Sequence, residues 1–213
     1  MILKERHAGK VTVVGLEAPE MDDTLFTALA KGADRALKVT GVELGLSSRV
    51  AAAILSQVVS TTVGLLPADL VLVGCQAIDD LDGQLGAVLS NALKLPYVGI
   101  VSQVEVDAAG SSVKVVKEYA GGVRGEIEVS LPAVLGIQAA EKPPRYVPVA
   151  KVRAVMKSQT IESVPAPGGA EAGQVQVLQM ARPEVAEHAE MLEGSPEEVE
   201  ARIAEILATR GLV

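Results

Sequence analysis

The chain has almost no aromatic residues: one Phe, three Tyr and no Trp occur among its 213 residues. Its core must therefore be built from Val, Leu, Ile and Ala side chains. The length is nevertheless sufficient for one α/β domain with an appended tail, and for a core of substantial size.

Basic residues are also fewer than acidic ones. The sequence has 19 Lys and Arg against 27 Asp and Glu, which gives a formal net charge of −8. Nucleic acids and anionic membranes attract basic proteins, so this composition argues against both as partners. No apolar run reaches the length of a membrane span, so we expect no membrane insertion.

Cysteine and histidine are equally scarce. The single Cys75 excludes an internal disulfide framework and favours a reducing compartment, so we expect a cytoplasmic protein. We interpret Cys75 as a small, buried and inert side chain. His7 and His188 lie far apart, with no ligand set near either one, and we expect surface histidines and no metal site.

Strands and helices alternate through the first half of the chain. Apolar periodicity predicts strands over residues 10–14, 36–40 and 70–74 and helices over 24–31, 48–63 and 83–94. Expected N-caps are Asp22 or Asp23 and Ser47 or Ser48, and expected helix stops are Gly32 and Gly64. This alternation predicts a doubly wound, mostly parallel sheet with helices on both faces.

The second half begins with a different pattern. Strands are predicted over residues 98–106, 113–119, 125–131 and 133–137, with hairpin turns at 107–110 and 120–122, so an antiparallel ribbon extends the sheet. We expect a domain of residues 1–161, followed by residues 162–213 as a linker and a C-terminal arm. Residues 162–173 have linker composition, and an apolar stretch follows at 175–180.

A helix over residues 196–209 has the clearest start signal of the chain. Ser195 is placed to cap it, Pro196 occupies the first helical position and Glu198 the third. Its apolar stripe consists of Val199, Ile203, Ile206 and Leu207. That stripe needs a surface to cover, either on its own domain or, through the flexible linker, on another subunit.

Residues 69–86 join a strand to a helix through a loop rich in Gly, Asp and Gln. Leu70–Val73 are expected to be buried on both faces of the sheet, and Asp82 or Gly83 to begin a helix. Free N–H groups at a helix start attract anions such as a nucleotide phosphate, although an ordinary βα turn has similar composition. Asp79, Asp80 and Asp82 are interpreted as helix-capping and loop-fixing residues rather than metal ligands or an acid–base pair.

Four blocks in the chain resemble the electron-transfer flavoprotein beta subunit family. These blocks are Gly74-x-Gln-Ala-Ile-Asp-Asp with Gln84-x-Gly86, Ala28-Leu-Ala-Lys-Gly-Ala-Asp-Arg-Ala36, Lys117-Glu118 with Gly121-Gly122 and Leu131-Pro-Ala-Val134, and Pro144-Arg-Tyr146. They occur in the family's order over about residues 9–161. The resemblance implies an adenine-nucleotide-hydrolase-like, Rossmann-like fold.

The resemblance also implies a binding site for AMP or a second FAD. Gly15 and Leu16 would lie near the base, and the nucleotide loop would cover Gly74, Cys75, Gln76, Ala77, Ile78, Asp79, Asp80, Leu81, Asp82, Gly83, Gln84, Leu85 and Gly86. Cys75 stands where many relatives have Lys. Because residues 80–86 depart from both the AMP-type and the flavin-bifurcating pattern, the choice between the two ligands stays open.

Partners follow from the same resemblance. It implies a heterodimer with an alpha subunit that holds or shares FAD, with electrons arriving from acyl-CoA dehydrogenase-type donors and leaving to a quinone oxidoreductase. Tyr146, Val149, Lys151 and Arg153 would contact the donor, and the C-terminal arm would embrace the alpha subunit. No catalytic residue is assigned. The alternative is a stand-alone domain of the same fold that binds or hydrolyses an adenine nucleotide.

Complete members of the family open with a further strand and helix. By the resemblance, residues 1–7 correspond to part of that helix, and the absent strand would lie at the centre of the sheet. Without it, neighbouring strands would have unpaired backbone groups. We therefore expect a native chain that is about 40 residues longer, from the usual lengths of a strand, a loop and a helix.

Overall fold

The computed structural model describes residues 1–77, 82–143, 145–168, 179, 181–182 and 191–212. The helices are α1 (Ile2–His7), α2 (Met21–Lys31), α3 (Ser48–Thr61), α4 (Leu85–Leu93), α5 (Val149–Ser158) and α6 (Pro196–Thr209). The strands are β1 (Thr12–Leu16), β2 (Arg35–Thr40), β3 (Leu70–Gly74), β4 (Tyr97–Val106), β5 (Ser112–Glu118), β6 (Arg124–Ser130), β7 (Ala133–Ile137) and β8 (Glu162–Pro165).

The strands form two sheets. The first has the order β1-β2-β8, and both of its pairs are parallel. The second has the order β3-β7-β4-β5-β6, in which β3, β7 and β4 are parallel and β4, β5 and β6 are antiparallel. The predicted α/β fold class, with a parallel-rich arrangement and an antiparallel ribbon, is confirmed.

Aliphatic side chains build the core, as the composition predicts. One cluster joins β2 to α3 through Leu37, Val39 and Ile54, and a second fills the ribbon around Val101, Val113 and Leu135. A third cluster packs α2 on β2, and the partly buried Val155 of α5 and Ile161 after that helix pack against it. Helices α2 and α5 pack together, and so do α3 and α4.

Several helix boundaries match their sequence signals. Gly32 ends α2 with φ +112°, and the Ser47 side chain accepts a hydrogen bond from the Val50 amide at the start of α3. Ser195 and Glu198 form the reciprocal capping box of α6. At each of these ends a local side chain or a left-handed glycine satisfies the backbone, so no distant residue is needed.

Other boundaries differ from the prediction. Helix α2 begins at Met21 after Glu20 with no capping side chain, so Asp22 and Asp23 lie inside its first turn. Helix α3 ends at Thr61, before Gly64, and α4 begins at Leu85 rather than at Asp82 or Gly83. Asp82 instead accepts a hydrogen bond from the amide of Ser48 in α3.

Strand β3 is not buried on both faces, which corrects the sequence-based expectation. None of its five residues is fully buried, and Leu72 is 50% exposed. Among the strands that the structure describes, it pairs only with β7, at the edge of its sheet. An aliphatic run therefore predicted the strand correctly but not its burial, because burial depends on which other elements pack on the two faces of the strand.

The chain divides into two compact units, Met1–Val177 and Leu178–Val213. Residues 162–165 are not a linker, since β8 pairs with β2 and Glu162 forms a 2.6 Å ion pair with Arg35. The predicted boundary between residues 1–161 and 162–213 stays a prediction. Most of the predicted apolar stretch over residues 175–180 lies outside the described residues.

Candidate functional site

The candidate site lies where β3 ends and α4 begins. Helix α4 starts without a capping side chain from the described residues, so the amides of Leu85, Gly86 and Ala87 lack the bonds that later helical amides make. An uncapped helix start carries partial positive charge and free donors, which suit a phosphate group. Gly74, Cys75, Gln76 and Ala77 lead from the strand into the loop.

The loop folds back on itself at Gly83. This residue has φ +63°, and a Cβ atom there would lie 3.2 Å from the Cys75 carbonyl oxygen. A side chain would therefore suffer both the strain of the left-handed region and a close backbone contact. Glycine at this position lets the two ends of the loop approach each other.

The carboxylate of Asp82 accepts a hydrogen bond from the start of a neighbouring helix. Its Oδ2 accepts a 2.9 Å hydrogen bond from the amide of Ser48, the first residue of α3. The expectation that Asp82 caps α4 is therefore wrong, because Ser48 is within reach and α4 begins three residues later. Ile78, Asp79, Asp80 and Leu81 lie outside the described residues.

Cys75 is half-buried and hydrogen-bonded, which corrects its interpretation as a buried apolar side chain. Its thiol donates to the Gly136 carbonyl oxygen at 3.0 Å and accepts from the Ile100 amide at 3.1 Å. Ile100 has φ +61° and lies where the pairing of β4 with β7 changes register. The thiol therefore links the end of β3 to an irregularity in β4.

A cavity of about 510 Å³ opens beside this loop. The loop contributes four of its lining residues, and strands β4, β5 and β6 contribute the others. These residues are Cys75, Gln76, Asp82, Gly83, Tyr97, Val98, Gly99, Ile100, Lys117 and Ile127. A volume of this size is typical of small-ligand pockets.

The cavity includes residues to which the sequence analysis gave no site role. Burial raises the pKa of Tyr97, and the nearby Cys75 adds to the shift. Lys117 brings a cation to the cavity, and its ammonium lies 5.4 Å from the centre of the Tyr119 ring. No local pattern marks Tyr97 or Lys117 as a site residue, since strand pairing alone places them beside the loop.

The other predicted site residues lie at the end of β1 and at the start of α4. Gly15 and Leu16 end β1, and a Cβ atom at Gly15 would overlap the Met21 side chain. Gln84, Leu85 and Gly86 form the start of α4. A Cβ atom at Gly86 would lie 2.6 Å from the Tyr97 ring, so this glycine lets the helix approach β4 closely.

The predicted partner residues surround the start of α5. Tyr146 is 81% exposed, and Val149, the first residue of the helix, is 59% exposed. Lys151 and Arg153, two and four residues after Val149, are also exposed. The expected surface loop is thus partly helical, and its exposed side chains leave this surface accessible to another protein.

Comparison with known proteins assigns the family. The family model of the electron transfer flavoprotein domain matches residues 2–183. The beta subunit of the electron transfer flavoprotein of Methylophilus methylotrophus is 30% identical over 209 residues, which cover 93% of this chain and 76% of that protein. The chain belongs to the electron transfer flavoprotein beta-subunit family.

Two further beta subunits agree with this assignment. That of Clostridium acetobutylicum is 32% identical over 152 residues, and that of Syntrophomonas wolfei is 30% identical over 204 residues. The matches cover 71% and 95% of this chain. The chain spans 56% of the Clostridium protein and 77% of the Syntrophomonas protein.

The described residues contain no metal-binding cluster of three or more His, Cys, Asp or Glu side chains. None of the described helices is both long and apolar enough to cross a membrane.

Proposed function

We propose that this chain is the beta subunit of a heterodimeric electron transfer flavoprotein and that it binds an adenine nucleotide at the loop between β3 and α4. One observation carries the proposal. Helix α4 begins without a capping side chain from the described residues, and the loop before it lines a cavity of about 510 Å³ at the carboxyl end of a parallel strand. Nucleotides bind at this edge of parallel α/β sheets.

The residues present fit such a ligand. The amides of Leu85, Gly86 and Ala87 would hold the phosphate, and Gly83 keeps the loop compact behind it. Gly15 and Leu16, at the end of β1, would lie near the base. Both AMP and a second FAD contain the adenylate group that this arrangement would recognise.

The electron-carrying chemistry would belong to the flavin. This cofactor, held or shared by the alpha subunit, accepts and donates electrons, while the protein binds and orients it. We propose acyl-CoA dehydrogenase-type proteins as donors, docking at Tyr146, Val149, Lys151 and Arg153, and a quinone oxidoreductase as acceptor. The single Cys75 favours a cytoplasmic location for this carrier.

The alpha subunit is the proposed partner of α6. Val199, Ile203, Ile206 and Leu207 repeat at helical spacing, and none of the residues of α6 is fully buried. Ile203 is 45% exposed. An amphipathic helix with a partly exposed apolar stripe is suited to a groove on another subunit.

Co-expression with the alpha subunit tests the proposal. The expected product is a yellow heterodimer that releases FAD, together with AMP or a second FAD, when it is denatured. The ratio of AMP to FAD per complex then decides between the two ligands. A colourless monomer that cleaves ATP would instead support the stand-alone hydrolase.

A further inference from the structure

Lys117 is the one positively charged side chain among the described residues that line the cavity beside the loop after β3. The described lining also contains one carboxylate, that of Asp82, whose Oδ2 accepts a hydrogen bond from the Ser48 amide. The other described lining residues are uncharged. Any positive charge that the described lining offers to a ligand therefore comes from Lys117.

The position of Lys117 is fixed by strand pairing. In β5 the residue lies opposite Val101 of β4 and Gly125 of β6, so its backbone is held in the middle strand of the ribbon. A Cβ atom at Gly125 would lie 3.1 Å from the Tyr119 ring, so that ring packs over the glycine. The same ring lies beside the Lys117 ammonium, 5.4 Å from its centre. Both the start and the end of the lysine side chain are thus positioned.

Lys117 continues an apolar row of the sheet. Alternate residues of a strand project to the same face, so Lys117 shares a face with Val113 and Val115. Both valines are fully buried, as is Val101 opposite the lysine. Lys117 itself is half-buried. A charged group at the end of a buried apolar row is costly to cover unless an anion accompanies it.

The described residues supply no such anion. None of the ion pairs between them includes Lys117, and the carboxylate of the neighbouring Glu118 pairs with Arg124 at 3.3 Å. The ring of Tyr119 orients the ammonium by a cation–π contact, which does not neutralise a charge. The ammonium is therefore positioned at the cavity without a carboxylate partner from this part of the chain.

We propose that Lys117 binds the phosphate group of AMP in this cavity and that it makes the site prefer a nucleotide to its nucleoside. The inference rests on the nucleotide binding proposed above and adds the residue that supplies the positive charge. An ammonium forms a charge-assisted hydrogen bond with a phosphate oxygen. A volume of about 510 Å³ suits a mononucleotide, whereas FAD, with its second nucleotide half, would extend beyond it.

Isothermal titration calorimetry of the full chain with AMP and with adenosine tests the inference. The two ligands share the base and the ribose, so the ratio of their dissociation constants reports the contacts of the phosphate. We expect the wild type to prefer AMP. Lys117→Gln should weaken AMP binding by about 10-fold or more and leave adenosine binding unchanged. Lys117→Arg keeps the positive charge and should keep most of the preference.

Lys114→Gln is the matched control. Lys114 is exposed on the same strand, three residues away and therefore on the opposite face, and it is not among the described residues that line the cavity. The variant loses the same charge as Lys117→Gln, so a general effect of net charge would appear in both. AMP binding by Lys114→Gln should be close to that of the wild type.

The possible failures are distinguishable. A preference for AMP that survives Lys117→Gln would overturn the role of Lys117 and leave the proposed nucleotide site intact. An equal loss of AMP and adenosine binding would show that Lys117 shapes the cavity and would overturn the phosphate contact. A wild-type chain that binds neither ligand would overturn the nucleotide site itself.

FAD as a third ligand identifies the source of the phosphate. If FAD binds more weakly than AMP to the wild type, the mononucleotide is supported as the occupant. Tighter binding of FAD, with the same loss in Lys117→Gln, would support the phosphate contact and overturn AMP as the occupant.

Discussion

The amide of Ser48 donates a 2.9 Å hydrogen bond to Asp82 Oδ2. Asp82, which lies three residues before the first residue of α4, therefore caps the start of α3. The bond connects two helices that also pack against each other. It therefore fixes the loop of the candidate site to α3, the helix that packs on β2 of the first sheet.

Replacement of this carboxylate should lower stability. Asp82→Ala removes the acceptor of the Ser48 amide, and loss of such a cap costs about 1 kcal/mol. The free energy of unfolding, measured by urea denaturation, gives the cost directly. Asp69→Ala is the matched control, because the described contacts include none for its exposed side chain. An equal loss in both variants would contradict the capping role of Asp82.

Gly83 should be sensitive to a single methyl group. Gly83→Ala places a side chain at φ +63°, which costs about 1–2 kcal/mol, and adds a contact with the Cys75 carbonyl. Gly110→Ala has a similar φ of +69° but open space around it. We therefore expect Gly83→Ala to be the less stable variant.

The same pair of variants separates stability from binding. Isothermal titration calorimetry with AMP should show about tenfold weaker binding for Gly83→Ala, or about 1.4 kcal/mol. Binding by Gly110→Ala should be unchanged. Equal affinities in both variants would place the nucleotide away from this loop.

Tyr97 should make the protein less stable in alkaline solution. Burial raises its pKa above the ordinary value of 10.0. In an unfolded chain the phenol loses its proton near pH 10.0, while the folded protein retains it, so stability falls as the pH rises above that value. Tyr97→Phe should remove this part of the decline.

Ultraviolet difference absorbance, which reports tyrosine ionisation, measures the effect together with urea denaturation at several pH values. Tyr146→Phe is the control, because Tyr146 is 81% exposed. It should leave the decline in stability unchanged. A wild-type alkaline decline that persists fully in Tyr97→Phe would contradict the assignment.

The ion pair between Glu162 and Arg35 should make the stability of the pairing between β8 and β2 depend on pH. A hydrogen bond from Arg35 lowers the pKa of Glu162 below its ordinary value of 4.5. The interaction therefore stabilises the fold above pH 4.5 and is lost as the pH falls through the lowered pKa. Glu162→Gln should melt at a lower temperature than the wild type near neutral pH only.

Glu126→Gln provides the comparison for this pair. Glu126 is exposed on β6, and no ion pair is described for it. Thermal melting of both variants at neutral and at acidic pH separates the pair from a general effect of charge. A melting difference for Glu162→Gln that stays constant into strong acid would contradict the prediction.

The apolar stripe of α6 should matter for assembly rather than for folding. Ile203→Asp puts a charge on the stripe and should weaken association with the alpha subunit, about tenfold or more in dissociation constant. Ala201→Asp places the same charge on the opposite face of the helix and should have little effect. Surface plasmon resonance gives both constants, and equal losses would argue against the stripe as the contact.

Local sequence signals predicted much of the fold. Ser47, Gly32 and the box formed by Ser195 and Glu198 act within a few residues of the helix ends that they define. Aliphatic runs likewise predicted β3 and the ribbon strands, because period and branching are local properties. The α/β class followed from the alternation of these elements.

The candidate site was predictable only in part. The loop after β3 was visible as a strand, a Gly-rich turn and a helix start. Tyr97 and Lys117, in contrast, reach the cavity through strand pairing between residues far apart in the sequence. The same limit applies to the Cys75 thiol, whose bonds to Gly136 and Ile100 depend on how β3, β7 and β4 meet.

The sequence alone determined the aliphatic core, the alternation of strands and helices, the left-handed stop at Gly32 and the family resemblance. Only the tertiary structure decided that Asp82 caps α3 and that residues 162–165 pair with β2. It also decided that β1 and β3 each have one neighbour among the described strands. The reason is physical: propensity and capping act over one or two turns of chain, whereas hydrogen-bond partners and burial depend on which distant segments become neighbours.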